Sequence, residues 1–384
     1  MNSTPPKTLR DLRIGVVGVG YWGSKHLRVL RSLPEVATVI VVEERATGMP
    51  ELQADLAAGT AFRSLAEALP HLDGVVLATP PTTHESLALQ AIRAGKHVLV
   101  EKPLATSVLA ARGLLNAAQE HGVQLMVGHT FEHNDAVKRL REVVQTGELG
   151  DLYYLDSARL NLGLYQRDVN VVMDLAPHDV SIANYVLDAE PTSVTAWGAR
   201  HVHPILEDVA YLRLDYESVG VRANVHVSWL DPAKVRRTTA AGSRKMAVYN
   251  DLAAEERLRI YDKAVLRQAG GDGAVPGLSY HVGDTLSPRI SFDEPLVVQD
   301  RHFARCVLDG SRPETDGERG LAVVKVLEAA QISIEEGRKV ALAEVGPGQQ
   351  LGRVFDVGID LSGRAGRSAA LIGAEAGNVA ATAV

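Results

Sequence analysis

The chain has 384 residues, of which 46% are hydrophobic, and a formal net charge of −7. That acidic balance argues against nucleic acid or an anionic membrane as the main partner. The one cysteine, Cys306, excludes an internal disulfide and a cysteine-built zinc site, and fits a reducing compartment.

The length suggests two or three domains. No apolar run approaches the roughly 20 residues that a membrane span needs. Residues 1–10 are polar, hold two prolines and lack an apolar h-region. No secretory signal is therefore expected, and the chain reads as cytoplasmic. The pairs His129/His133 and His201/His203 lack an acidic companion at a ligand spacing, so no metal is expected.

Taken in order, residues 12–18 (LRIGVVG) are a β-branched apolar run ending at glycine, the pattern of a buried parallel strand. Helical spacing of Leu27, Leu30 and Leu33 follows from Ser24 and stops at Pro34. Residues 37–44 (ATVIVVEE) form a second strand ending in Glu43 and Glu44. Between strand and helix sits Gly18-x-Gly20-x-x-Gly23, in the strand–turn–helix–strand context of a dinucleotide fingerprint. Gly18 makes the tight turn, Gly20 lets backbone approach a pyrophosphate, and Gly23 lets helix pack on strand. The helix N-terminus offers free N–H groups to phosphate. A glycine turn in an α/β domain without nucleotide is the competing reading.

Glu43 or Glu44 stands where the fingerprint places an acid on the ribose hydroxyls of NAD. Arg45, next to them, leaves NADP open. Tyr21 and Trp22, inside the motif, are candidates to cover the cofactor.

The alternation continues with strands at 74–78, 97–100 and 124–127 and helices at 84–94, 107–121 and 135–146. This predicts a doubly wound parallel Rossmann sheet over residues 10–130. Two further turns follow strand ends, where ligands of open α/β sheets bind. In Ala78-Thr-Pro-Pro-Thr-Thr-His84, Thr79, Pro80, Thr83 and His84 are cofactor-contact candidates; helix capping is the alternative for the threonines. In Glu101-Lys102-Pro103, Glu101 and Lys102 face the same crevice as further cofactor-contact candidates, and Lys102 could move a proton. A surface ion pair explains that spacing equally well.

After Gly150, period-two runs at 152–159, 193–199, 210–216, 219–228 and 245–249 predict a larger, mostly antiparallel sheet. Helices are expected at 175–187, 299–308 and 318–336, making an α+β domain over 131–350. Gly270–Gly277 reads as a surface loop. The tail from 351 is rich in alanine and glycine and holds too little apolar surface for a core. Asp174-Leu-Ala-Pro177-His178-Asp179 opens a helix, with Asp174 as N-cap and Pro177 in the first turn. Asp174 and His178, four apart, share a face.

The set of GVGYWG at 18–23, TPPTTH at 79–84, AGKHVLVEKPLA at 94–105 and DLAPHD at 174–179 resembles the glucose–fructose oxidoreductase / inositol dehydrogenase / MocA family over about residues 12–345. Within it, VGHTFEHNDAVKRL and RLNLGLYQRDVNVVMDLAPHDVSI are most similar to the nucleotide-sugar and antibiotic-sugar dehydrogenases. Met173 stands where that family often has tryptophan. The resemblance implies that Lys102, Asp174 and His178 form the catalytic set. It implies His129, Phe131, Glu132, Arg159, Asn161, Tyr165 and His178 as substrate contacts, and a homo-oligomer, dimer or tetramer. The expected reaction is hydride transfer between nicotinamide and a secondary hydroxyl or ketone carbon of a sugar derivative. A family enzyme acting on an imine or cyclitol, or a non-catalytic cofactor-binding regulator, is the alternative.

Overall fold

The computed structural model describes residues 12–45, 55, 57–163, 165–166, 168–267, 277–291 and 293–346. The tail from 351 and all of the 270–277 loop except Gly277 lie outside them.

The first sheet has six strands: β1 (Arg13–Val17), β2 (Thr38–Val42), β3 (Ala61–Phe62), β4 (Gly74–Leu77), β5 (His97–Val100) and β6 (Leu125–Val127). Their order is β3-β2-β1-β4-β5-β6, and every pairing is parallel. Ile14, Val16, Val76 and Leu99 are fully buried, as expected of strands covered on both faces. The chain winds from β1 out to β3, then returns to place β4 on β1's other side. A crevice therefore opens at the carboxyl ends of β1 and β4.

The second sheet has nine strands, in the order β14-β13-β12-β11-β7-β10-β9-β8-β15. These are β7 (Leu152–Leu162), β8 (Ser193–Ala199), β9 (Val209–Tyr216), β10 (Val221–Ser228), β11 (Leu230–Gly242), β12 (Met246–Asn250), β13 (Leu258–Arg267), β14 (Leu278–Leu286) and β15 (Val340–Ala341). β7 and β10 pair in parallel; the other pairings are antiparallel. β11, β13 and β14 were not expected from periodicity. β11 carries a polar Arg-Arg-Thr-Thr stretch, and β14 is exposed along almost its whole length. Neither imprints a clean two-residue burial period.

Two helices depart from expectation in ways that shape the site. Tyr21–Ser32 begins at Tyr21, not Ser24, because Gly20 ends the turn and caps the helix by backbone alone. Val171–Leu187 begins at Val171, not at 175. Its N-cap is Asn170, whose side chain accepts from the Met173 N–H. Asp174 therefore lies inside the helix, and Pro177 in its interior. The proline removes one internal hydrogen bond of that helix.

The helix Pro295–Asp309, expected to close the second domain, returns to the first sheet. Its Phe303 packs in one buried cluster with Leu12, Ile14, Leu30, Val76 and Leu99.

Candidate active site

The crevice is a groove of about 940 Å³. Gly18, Gly20, Tyr21 and Trp22 line it after β1, Glu43, Glu44 and Arg45 after β2, Thr79, Pro80 and Thr83 after β4, and Glu101 and Lys102 after β5. Asp174, from the Val171–Leu187 helix, lines it too, together with Gln166 and Asp168. The fold thus gathers residues spread over more than 150 positions into one cleft.

The three motif glycines differ physically. Gly18 has φ +81°, a conformation that favours glycine, and its N–H donates to Val42 O at 2.8 Å. A Cβ on Gly23 would lie 1.8 Å from Gly18 O, so only glycine lets helix and turn touch. A Cβ on Gly20 would meet nothing within 4 Å. Gly20 faces open groove at a helix N-terminus without a side-chain cap, the arrangement that receives a pyrophosphate.

Glu43 is buried and its Oε2 accepts the Val19 N–H at 3.0 Å. Its Oε1 accepts from Arg45 N at 3.3 Å and Arg45 Nε at 3.2 Å. Burial alone would raise its pKa, but these hydrogen bonds outweigh it and hold the carboxyl below its ordinary value. An ionised Glu43 therefore closes the glycine turn, and the exposed Glu44 stands beside it.

Thr83 Oγ1 lies 2.7 Å from Thr79 Oγ1 and 2.8 Å from Pro80 O. Thr83 occupies the helix N-cap position but makes no side-chain cap bond. His84 is fully buried and does not line the groove. Its ring nitrogens lie 2.8 Å from Pro103 O and 3.0 Å from Thr79 O, tying the two groove turns together.

At the inner end, Lys102 Nζ donates to the Asp174 carbonyl at 2.7 Å and to Asp174 Oδ1 at 3.1 Å. Asp174 Oδ2 accepts from Trp229 Nε1 at 3.1 Å. Lys102 and Asp174 are both largely buried, so this pair is shielded from solvent. His178 lies one turn beyond Asp174, edge-on to Phe131 with ring centres 5.0 Å apart. Burial, then the nearby charges of Lys102, Arg159 and Arg236, push its pKa well below 6.5. It is a neutral base at neutral pH.

The remaining candidates separate into two groups. Arg159 is locked to Asp179, Nε to Oδ2 at 2.6 Å, with its guanidinium 4.6 Å from the Phe131 ring centre. Glu132 is buried against Arg319 at 3.0 Å and lines a different cavity, of about 610 Å³. His129, Asn161, Tyr165 and His178, by contrast, carry buried polar atoms with no hydrogen-bond partner among the described residues: His129 Nε2, Asn161 Oδ1, Tyr165 Oη and His178 Nδ1, while His129 Nδ1 lies 3.3 Å from Glu132 Oε1. The Tyr165 ring packs 5.1 Å from Trp229, which connects it to Asp174.

Sequence reading missed Trp229, because a lone tryptophan before a strand carries no motif. It also missed His26 and Asp300. His26 is fully buried between Glu101, at 2.9 Å, and Asp300, at 3.0 Å. Its position three residues after Gly23 was the available signal. Among the described residues, no group of three or more His, Cys, Asp or Glu side chains is placed to hold a metal. No helix there is long and apolar enough to cross a membrane.

A 3-2-1-4-5-6 parallel sheet, a glycine turn open at Gly20 and a lysine–aspartate pair at the groove's end define an oxidoreductase of the Rossmann type. The chain belongs to the GFO/IDH/MocA family. Residues 12–129 match its oxidoreductase, NAD-binding Rossmann-fold model, and residues 137–248 its C-terminal domain model. It is 31% identical over 326 residues to UDP-N-acetylglucosamine 3-dehydrogenase of Acidithiobacillus ferrooxidans, covering 84% of this chain and 97% of that protein. It is 26% identical to myo-inositol 2-dehydrogenase of Thermotoga maritima, covering 87% and 99%. Its fold matches the structure of GenD2 from gentamicin A biosynthesis in complex with NAD, with TM-score 0.71, 28% identity and coverage of 89% and 99%. The protein is an NAD(P)-dependent dehydrogenase acting on a CH–OH group, with an NAD-binding Rossmann domain.

Proposed function

We propose that this dehydrogenase oxidises one secondary hydroxyl of a sugar carried on a nucleotide or within an aminoglycoside-type molecule, in glycan or antibiotic-sugar biosynthesis. The observation that carries the reading is the shielded Lys102–Asp174 pair with neutral His178 one turn along the same helix. NAD supplies the hydride acceptor when bound; the chain supplies position and proton handling. Gly18 and Gly20 receive the pyrophosphate, and Glu43 and Glu44 favour unphosphorylated ribose, because a carboxylate repels a 2′-phosphate. Lys102, oriented by Asp174, donates to the reacting oxygen, and His178 takes the hydroxyl proton as the carbonyl forms. Asp174 is itself held by Trp229. The unpartnered atoms of His129, Asn161, Tyr165 and His178 suit a ligand with many hydroxyl groups, since buried polar atoms are ordinarily paired. We assign Phe131 to the wall beside His178, and Arg159 to holding that wall. The same chemistry serves a cyclitol, and the inositol dehydrogenase relative favours that as the second reading.

The test is a screen of UDP-N-acetylglucosamine, aminoglycosides and inositols with NAD or NADP, followed by absorbance of the reduced cofactor. Turnover of a sugar-bearing substrate with NAD supports the reading. Turnover of inositols alone moves it to the cyclitol class, and no NAD reduction by any of them sinks it. Lys102→Ala and His178→Ala are each expected to lower kcat by about 10²–10⁴-fold with NAD affinity retained. Equal loss of NAD binding in both would remove their assigned roles.

A further inference from the structure

A second buried charged cluster lies under the groove. His26 Nε2 is 2.9 Å from Glu101 Oε1, and its Nδ1 is 3.0 Å from both Asp300 oxygens. A neutral imidazole has one N–H and could donate to one of these carboxylates only. While both carboxyl groups are ionised, the imidazolium is the species that satisfies the geometry; burial holds the Asp300 carboxyl above its ordinary value despite His26 beside it. The other Glu101 oxygen, Oε2, accepts the Lys102 N–H at 3.2 Å. A Cβ on Gly128 would lie 3.2 Å from the Glu101 carboxyl group, so glycine there leaves the space that the carboxylate occupies. Asp300 is steadied in turn by Gln299 Nε2 at 3.4 Å, and Gln299 Oε1 accepts from Thr130 Oγ1 at 2.7 Å.

We propose that His26, anchored by Asp300, is the positioning residue for Lys102: it clamps Glu101, and Glu101 fixes the turn from which the lysine reaches Asp174. The clamp joins the helix of the glycine turn, the Glu101–Pro103 turn and the Pro295–Asp309 helix at one buried point. This inference rests on the reading that Lys102 acts at the reacting hydroxyl. A packing role alone would need neither a cation nor two carboxylates, because an apolar trio of similar volume fills such a site at least as stably.

The test uses the full chain and the charge-matched variant His26→Gln/Asp300→Asn, which removes one positive and one negative charge. Its folding is checked by Tm and by NAD titration. Labelling of Lys102 by trinitrobenzenesulfonate, quantified by peptide mass, is expected to quicken in the variant relative to other lysines. An unchanged rate overturns the proposal. With UDP-N-acetylglucosamine as substrate, kcat is expected to fall about 10²-fold with KM little changed. In a Lys102→Ala background the same two substitutions are expected to cost no further kcat, because the clamp acts through that side chain. Equal losses in both backgrounds mark a merely structural cluster and overturn it. If the double variant fails to fold, His26→Gln, which takes the imidazolium off Glu101 and leaves Asp300 in place, carries the same labelling test. If no sugar-bearing substrate of the screen is oxidised by the parent protein, the substrate reading fails while labelling still decides the clamp.

Discussion

Gly20 and Gly23 stand three residues apart and answer to different constraints. Gly20 has open space where its Cβ would be and an extended backbone that other residues adopt. Gly20→Val is therefore expected to leave Tm unchanged and to weaken NAD binding at least about tenfold, read by fluorescence titration. Gly23→Ala drives a methyl into the Gly18 carbonyl. It is expected to cost about 1–3 kcal/mol of stability in denaturant melts, with or without NAD. His178 supplies a pH prediction. The site needs it neutral to accept a proton, and its pKa lies well below 6.5 through burial and then neighbouring positive charge. The acid limb of kcat/KM for alcohol oxidation is expected well under pH 6.5. A limb at or above that value would show that another group takes the proton.

Among the elements, the Val171–Leu187 helix has most to do with the site. It presents Asp174 to Lys102 and His178 one turn later, and Pro177 sits between them. A Pro read from sequence belongs in a first turn, which put the cap at Asp174. The structure starts the helix a turn earlier because Asn170 caps it and is itself fixed to Glu207 at 2.6 Å and Gln331 at 2.7 Å. Tertiary partners thus outweigh the local cost of an interior proline. Asn170→Ala is expected to cost at least about 1 kcal/mol in thermal or urea melts. Because the cap orients the first turn, it is also expected to lower kcat more than NAD affinity.

At the scale of the whole molecule, the Pro295–Asp309 helix ties late sequence to the first sheet. Phe303→Ala is expected to destabilise by about 3–5 kcal/mol, since Phe303 fills the core over β1 and β4. The same helix carries Asp300, and through it the pH dependence of folding. Burial alone would lower the pKa of His26, but Asp300 and Glu101 outweigh it and raise it from 6.5 to about 10. A raised folded-state pKa means stabilisation fully present below pH 6.5 and lost as pH climbs towards about 10. Urea midpoints are expected to fall across that window in the parent protein. His26→Gln should flatten the decline; an unchanged slope would assign it to other groups.

The strand–turn–helix pattern and the four motif stretches were legible because each is local. A glycine spacing, an apolar period or a turn proline acts through neighbours a few residues away. These determined the Rossmann half, the glycine turn and the candidates Lys102, Asp174 and His178. Strand β14 was hidden because pairing with β13, not a buried face, holds it, and β11 and β13 because each buries only part of its length. His26, Asp300 and Trp229 gained their places only when the chain closed, since each meets a charged partner more than 50 residues away. Tertiary structure likewise put His84 and Glu132 off the groove, because their partners across the fold claim both side chains. Long-range electrostatic and packing contacts leave no periodic trace along the chain, so which residues surround the lysine is decided by the fold.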